Sequence, residues 1–337
     1  MRDVGANRRT ATLENYDVVV IGGGPAGCAA AICARQVGLS ALLLDHHDEP
    51  KTSPGETLHP GVEPIFEILG ARDAVLAADF RRHYGVWTER KSQQRIFQPY
   101  GHDGNGAWRG YQADRKKLHK ILLEATIAAG VNVLRPEAPR AVQVDRGRLV
   151  GIELETRECQ ARWILDATGR QAWLARKMSL TAERQLPELR VSFGWTDTQM
   201  PELDDQPLFR QHTSGWDWYA PIEETRVAWV KLRFAKWSKE ADRFDKKGVD
   251  LTWRIYRKCA GPGYFLLGDS AALLDPASST GVLRAMMSGI FSIHLVKKII
   301  NHRMNEQLAQ LVYRKWVGDM FDQTTERLRQ QLLLTAT

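Results

Sequence analysis

A run of consecutive apolar residues, Tyr16 to Ile21 (YDVVVI), predicts a strand buried on both faces, because parallel strands covered by helices show no alternation. It runs directly into Gly22-Gly23-Gly24-Pro25-Ala26-Gly27, and the Ala- and Cys-rich segment Cys28 to Gln36 that follows reads as a helix. Gly38 ends that helix, and a second apolar strand, Ala41 to Leu44, closes on Asp45. Further along, Asp114 to Ala129 carries apolar residues at helical spacing. VNVL, AVQV and LVGIELE after Gly130 predict a small antiparallel layer, and Trp163 to Leu165 leads into Asp166-Ala167-Thr168-Gly169. The stretches 76–110 and 171–255 alternate and are rich in Trp, which fits a sheet. Tyr264 to Leu267 is a short apolar strand before Gly268-Asp269. From Asn301 onward the pattern is helical, with Leu308, Leu311, Val312, Trp316, Phe321, Leu328 and Leu332 on the expected apolar faces.

Composition narrows the class. A chain of 337 residues exceeds one small core and suggests one large or two interleaved domains. With 43% hydrophobic and 26% charged residues it reads as globular, and no apolar stretch approaches the roughly 20 residues that a bilayer requires. The first fifteen residues mix Arg2, Arg8 and Arg9 with Asp3 and Glu14 and lack an apolar core, so no secretory signal is expected and the expected location is the cytoplasm. Cys28, Cys33, Cys159 and Cys259 show neither CxxC spacing nor His companions, which speaks against zinc or a disulfide framework and for small buried thiols. The net charge of +7 favours an anionic partner, but no nucleic-acid-binding motif accompanies it, and neither nucleic acid nor membrane is expected as a partner.

The chemistry begins at the glycines. Gly22, Gly24 and Gly27 satisfy GxGxxG, a weak signal alone; here strand, glycines, helix, second strand and acid follow in order within thirty residues. Glycine permits the tight turn and close backbone approach, the helix N-terminus attracts a pyrophosphate, and Asp45 can accept ribose hydroxyls. A second turn of this kind is lacking: GHDGNG at Gly101 to Gly106 has no clear preceding strand and reads as a plain turn, which leaves no site for a nicotinamide dinucleotide.

Gly268-Asp269 followed by SAALLDPASSTGV resembles the FAD-binding GD box of the aromatic-hydroxylase and halogenase superfamily. The resemblance implies an α/β fold with a glutathione-reductase-like FAD-binding domain interleaved with a β-sheet substrate domain, and a helical C-terminus. The FAD domain would be assembled from 14–75, 111–170 and 256–300, the substrate domain from 76–110 and 171–255, and the C-terminal helices from 301–337. By the same resemblance FAD would be held by Gly22, Gly24, Pro25, Ala26, Gly27, Asp45, Thr57, Arg115, Thr168, Gly169, Asp269, Pro276, Ser279, Thr280, Gly281 and Val282, with Asp269 on the ribityl chain. The bland readings are an ordinary capped helix after Thr280 and an exposed Arg115 behind an Asp114 N-cap.

PGETLHPG at Pro54 to Gly61 and GWDWYAP at Gly215 to Pro221 resemble the halogenase-like branch, Trp216, Trp218 and Pro221 nearly reproducing its WxWxIP box with Ala220 in place of Ile. Two departures count against halogenation. The segment Ala78 to Trp87 has Arg81 and Arg82 but no Lys to carry hypohalous acid, and Ser278 stands where tryptophan halogenases have a Glu. Cys259 to Gly289, with GETLHPGV, is more similar to the flavoproteins that mature tryptophylquinone cofactors in quinohemoprotein amine dehydrogenases and quinone-bearing amino-acid oxidases. That resemblance implies an FAD-dependent monooxygenase that hydroxylates a Trp in a protein or peptide partner through a flavin C4a-hydroperoxide, with electrons from a separate flavin reductase. The alternatives are a flavin-dependent halogenase or small-aromatic hydroxylase, and a prenyl-reductase-like flavoprotein without oxygen insertion. Glu56 and His59 are the candidate catalytic acid–base residues, against a loop Glu that merely caps backbone N–H groups. Trp87, Trp216, Trp218 and Tyr219 are candidate walls of the substrate pocket, against plain core aromatics.

Overall fold

The computed structural model describes residues 12–50, 54–90, 94–185, 188–198, 200–234 and 248–333. Arg2, Asp3, Arg8 and Arg9, on which the absence of a secretory signal was read, lie outside them, as do residues 334–337. The YDVVVI run lies within the Thr12–Ile21 strand, where Val18, Val19 and Val20 are completely buried. On one side it pairs in parallel with Ala41–Leu44 and through it with Asn132–Leu134; on the other it pairs in parallel with Arg157–Asp166. The sheet continues antiparallel through Arg148–Glu153 to Ala141–Asp145, and Tyr264–Leu266 joins Arg157–Asp166 in parallel. VNVL is therefore not part of an antiparallel layer: it docks as a parallel edge strand next to Ala41–Leu44, while AVQV and LVGIELE form the antiparallel pair. Each Val or Leu so buried contributes roughly 1.5–3 kcal/mol.

Helix Pro25–Gln36 covers this sheet and is buried continuously from Ala26 to Ala34. Its small side chains let helix Gly281–Ile300 press against it. A Cβ on Gly289 would sit 2.5 Å from the Ala26 carbonyl oxygen and 2.8 Å from the Ala30 nitrogen, so only glycine allows that approach. Helix Arg115–Ala128 starts where the Asp114 side chain accepts a hydrogen bond from the Lys117 N–H (2.7 Å).

Seven strands build the second sheet, in the order Val249–Asp250, Leu189–Thr196, Val227–Phe234, Gly215–Pro221, Leu208–His212, Gly85–Glu89 and Arg95–Pro99. A three-stranded ribbon of Thr57–Leu58, Gly110–Gln112 and Arg81–His83 draws residues from both sides of the expected domain boundary. The C-terminal helix Glu306–Leu333 docks on the body through buried Ala309, Tyr313, Val317, Phe321 and Leu328. The Tyr313 hydroxyl donates to the Leu266 carbonyl (2.8 Å), and Arg148 grips Glu306 through both carboxylate oxygens (2.8 and 2.6 Å). Leu308 and Leu311, expected on the apolar face, point to solvent at 45% and 61% exposure; Ala309 and Tyr313, one residue on and four apart, set the buried face instead. All four cysteines are buried and unpaired, and no helix among the described residues is long and apolar enough to cross a membrane.

Candidate flavin site

Gly22, the first residue past the central strand, has φ +107°, and a Cβ there would lie 2.4 Å from the Ala167 carbonyl oxygen. Gly27 is more constrained, since its Cβ would lie 1.9 Å from the Gly22 carbonyl oxygen. These two glycines let turn, helix and strand meet. Gly24 differs: it is the N-cap of helix Pro25–Gln36, its backbone is extended, and a Cβ would meet nothing within 4 Å. No side chain of the N-cap residue satisfies the first N–H groups of the helix, which fits a pyrophosphate. Asp45, 4% exposed, closes the second strand beside this turn, where a Cβ on Gly23 would lie 2.6 Å from its Oδ2, and Arg135 approaches the same oxygen at 3.8 Å. His119, one turn along its helix from Arg115, hydrogen-bonds the Gly23 carbonyl.

A completely buried carboxylate, Asp166, ties the late pieces together. It accepts hydrogen bonds from the Thr168 N–H (2.8 Å) and hydroxyl (2.6 Å), the Leu174 N–H (2.8 Å) and the Ser270 hydroxyl (3.2 Å), joining the ATG turn to the GD box. Thr168 thus spends both its hydroxyl and its N–H on this knot, and its hydroxyl oxygen accepts from the Trp173 N–H (2.9 Å); Gly169 beside it is open on its Cβ side. Asp269 stands in the turn Gly268–Ser270. Burial pushes its carboxyl up from the usual carboxylate range, against the pull of Arg284, Arg115 and Arg254. Arg115 donates from Nη1 to the Pro54 (3.3 Å) and Gly55 (3.1 Å) carbonyls, while its buried Nε has no hydrogen-bond partner among the described residues. An orphaned guanidinium N–H inside a cleft is the kind of donor that a bound polyanionic dinucleotide satisfies. The loop Pro276–Ser278, Ser279 in the left-handed region (φ +49°) and Thr280 lead into helix Gly281–Ile300, with Val282 buried and Gly281 open on its Cβ side.

Three indoles of the second sheet are fastened to the flavin-side loops. Trp195 Nε1 donates to Glu56 Oε1 (3.0 Å), Trp218 Nε1 to Thr57 Oγ1 (3.0 Å), and Trp216 Nε1 to Asp275 Oδ2 (3.4 Å). Thr57 passes its own proton to Gln112 Oε1 (2.8 Å), so its hydroxyl is committed within the protein. Glu56, 4% exposed, also accepts from the Gly55 N–H (2.9 Å), and burial pushes its carboxyl up despite nearby Arg115. His59 accepts the Gly61 N–H at Nδ1 (3.0 Å), which fixes the neutral ring with its proton on Nε2 and caps the turn Pro60–Val62; burial lowers its pKa.

Period-two alternation separates the four expected wall residues. Trp216 and Trp218 face the flavin side in the main core. Tyr219 and Trp87 pack with Leu203, Leu208 and Val227 in a separate small cluster on the far face. Only the first pair meets the flavin-side loops. Arg81 is paired with Asp205, and Arg82 donates to Glu63 (2.8 Å) and to the Gly110 carbonyl (3.2 Å), so both arginines of the segment that lacks a Lys are engaged. Residues that pattern reading passed over are Asp166, His119, Trp195 and Asp275. The last two had a legible signal, a Trp at strand spacing and an Asp before Pro, but not a partner.

The profile of the family described as FAD dependent oxidoreductase matches residues 17–265. The chain is 27% identical over 347 residues to a tryptophan 2-halogenase of Chondromyces crocatus, covering 88% of this chain and 64% of that protein, so it spans less than two thirds of that relative's length. It is 26% identical to the chlorinase of 1H-pyrrole-2-carbonyl peptidyl-carrier protein of Pseudomonas fluorescens, covering 96% of this chain and 86% of that one. A digeranylgeranylglycerophospholipid reductase of Thermoplasma acidophilum is 25% identical, with 92% and 85% covered. Among solved structures, the flavin-dependent brominase Bmp2 superposes with TM-score 0.82 at 20% identity, covering 96% of this chain and 88% of that one. The chain therefore belongs to the FAD-dependent oxidoreductase family, has the mixed α/β fold of flavin-dependent halogenases, and uses FAD.

Proposed function

We propose that this chain is a flavin-dependent enzyme of the halogenase-like branch that oxidises an electron-rich nitrogen heteroaromatic ring, an indole or pyrrole, presented by a protein, with electrons supplied by a separate flavin reductase. Support comes from relatives named for tryptophan and for a carrier-bound pyrrole. The observation that carries the choice of transferred atom is the engagement of Arg81 with Asp205 and of Arg82 with Glu63, in a segment without any Lys. The amine that reaches this segment from outside it, Lys117 Nζ, donates to the Ala78 carbonyl (2.6 Å) and is held there, and the transferred atom in this reading is oxygen. Hydroxylation of a Trp within a protein, as in tryptophylquinone maturation, is the specific form that we favour.

Reduced FAD supplies the electrons that activate dioxygen; the chain supplies orientation, dryness and proton handling. Gly24 and the N-terminus of helix Pro25–Gln36 hold the pyrophosphate, Asp45 the adenosine ribose, and Asp269 the ribityl hydroxyls. Trp216 and Trp218 close the sheet side with apolar rings whose N–H groups are already satisfied, which keeps water from the site. When the ring gains one atom of dioxygen, the other leaves as water with the two electrons from reduced FAD, and the substituted carbon loses a proton. Glu56, held by Trp195 and raised by burial, takes that proton.

The test is mass spectrometry after turnover of the FAD-loaded chain with a flavin reductase, isotope-labelled dioxygen and bromide. Its substrates are free indole, a pyrrole-loaded carrier protein and a Trp-bearing protein. Labelled oxygen on the protein-borne ring is the expected result, and bromine on any of them would overturn oxygen transfer. A second reading, reduction of prenyl double bonds, is favoured by the match to the Thermoplasma reductase over 92% of the chain; it predicts hydrogen gain by a geranylgeranyl lipid and no change in any ring.

A further inference from the structure

Beside the Gly268–Ser270 turn lies a small cavity lined by Asp269, Gly281, Arg284, Ser288, Trp316 and Met320, among others. Arg284, in the first turn of helix Gly281–Ile300, is 9% exposed, and its Nε and Nη1 have no hydrogen-bond partner among the described residues. A guanidinium is not buried without a compensating charge, because desolvation of a cation costs several kcal/mol. Asp269 is the acid that shares its cavity. Two other cations act on that carboxylate more weakly, and both also donate to backbone carbonyls: Arg115 to those of Pro54 and Gly55, and Arg254 to that of Arg170 (2.5 Å). Asp166, the nearest other buried acid in the same turn region, is turned to Thr168, Leu174 and Ser270. The C-terminal helix contributes Trp316, Val317 and Met320, with no charge, so it dries the cavity.

We infer that Arg284 is a positioning residue for the flavin: across the cavity that the two share, it holds Asp269 ionised, and Asp269 is thereby an acceptor for the hydroxyls of the ribityl chain. This rests on the reading of Asp269 as the ribityl contact. The division of labour is physical. Asp269 offers the acceptor, while Arg284 in the same cavity supplies the countercharge that keeps a desolvated carboxyl in its accepting form. Burial alone drives this carboxyl toward its neutral form, and Arg284 opposes that shift more strongly than Arg115 or Arg254 does.

The experiment is FAD titration of the apoprotein, followed by flavin fluorescence, at pH 8 and pH 6 for the wild type, Arg284→Gln, Arg284→Lys, Asp269→Asn and the Arg284→Gln/Asp269→Asn double variant. The wild type and Arg284→Lys are expected to bind FAD with nearly the same affinity at both pH values. Arg284→Gln is expected to weaken toward acid, by up to about tenfold per pH unit as one proton is taken up in competition with the cofactor. Asp269→Asn should weaken binding without pH dependence, and adding Arg284→Gln to it should change nothing more. Arg284→Gln binding like the wild type at both pH values, while Asp269→Asn binds weakly, overturns the role of Arg284 alone. Unchanged affinity in Asp269→Asn overturns the ribityl contact with it. Should Arg284→Gln not fold, Arg284→Lys decides: a folded lysine variant whose affinity falls toward acid contradicts the inference.

Discussion

The Gly22–Gly27 turn and the Gly215–Pro221 strand both belong to the candidate flavin site, one shaped by the side chains it lacks and the other by where its side chains point. In the turn, backbone approaches backbone so closely that a Cβ at residue 27 would lie 1.9 Å from a carbonyl oxygen. In the strand, bulky indoles reach across to Thr57 and Asp275. The two differ in what mutation can do to them. A turn that has no room fails abruptly, whereas a pinned strand loses one hydrogen bond at a time.

The largest effect is expected at the turn, and it separates two kinds of glycine. Gly27→Ala forces a methyl against the Gly22 carbonyl, at a cost of about 1–3 kcal/mol from overpacking. Thermal unfolding of the apoprotein should register it, together with loss of bound flavin. Gly24→Ala places its methyl where the chain has nothing within 4 Å, at an extended backbone that alanine adopts freely. Its apo stability should match the wild type within about 0.5 kcal/mol, as for other substitutions outside packed structure. FAD affinity should nevertheless drop by at least about tenfold, the size of one lost close contact. If Gly24→Ala bound flavin normally, the open face of the turn would not be the cofactor's cradle.

The same contrast explains what was legible beforehand. Close approach demands glycine at fixed offsets, so GxGxxG with its flanking strands could be read from the residues, as could Asp45 at the end of the second strand. The α/β fold and FAD followed from those motifs and the GD box. Side-chain destinations across the sheet could not be read. Trp216 and Tyr219 are three apart in sequence and looked alike as wall candidates, but alternation sends them to opposite faces, and which face meets the flavin depends on long-range register such as Trp216 opposite Leu232 and Gln211. Asp166 was visible only as the residue before an ATG turn. Its function as a four-donor knot depends on Leu174 and Ser270, which the chain brings in from 8 and 104 residues away. Parallel pairing of Asn132–Leu134 was missed for a related reason: its partner, Ala41–Leu44, lies before an intervening ribbon and helix.

Asp275 gives the next effect, because it is where the sheet side becomes electrostatic. Burial pushes its carboxyl up to about 6, although Trp216 and the Ala277 N–H pull the other way. The folded chain therefore binds this proton more tightly than the unfolded chain, whose Asp titrates near 3.9. Stability contributed at low pH is lost as pH rises from about 4 to about 6 and stays lost above that, by up to about 3 kcal/mol. Asp275→Asn removes the titration while keeping an acceptor for the indole N–H. The difference in unfolding free energy between the variant and the wild type should grow in the variant's favour across that interval and then level off. A difference that stayed constant from pH 4 to pH 7 would mean that the carboxyl is not buried as described.

The smallest and most discriminating effect compares neighbours on one strand. Trp218→Phe deletes the N–H that reaches Thr57, at a cost of about 0.5–1.5 kcal/mol for one hydrogen bond, and frees a hydroxyl in the loop beside the flavin. Tyr219→Phe deletes a hydroxyl 3.4 Å from Asp217 on the far face, where Arg233 (2.7 Å) and His212 (3.1 Å) still hold that carboxylate. The first variant should shift the absorbance and fluorescence of bound FAD, and the second should leave both unchanged with stability within about 0.5 kcal/mol of the wild type. A flavin spectrum equally disturbed by both would contradict the two-faced strand, since a side chain facing away from the site has no contact through which to reach it.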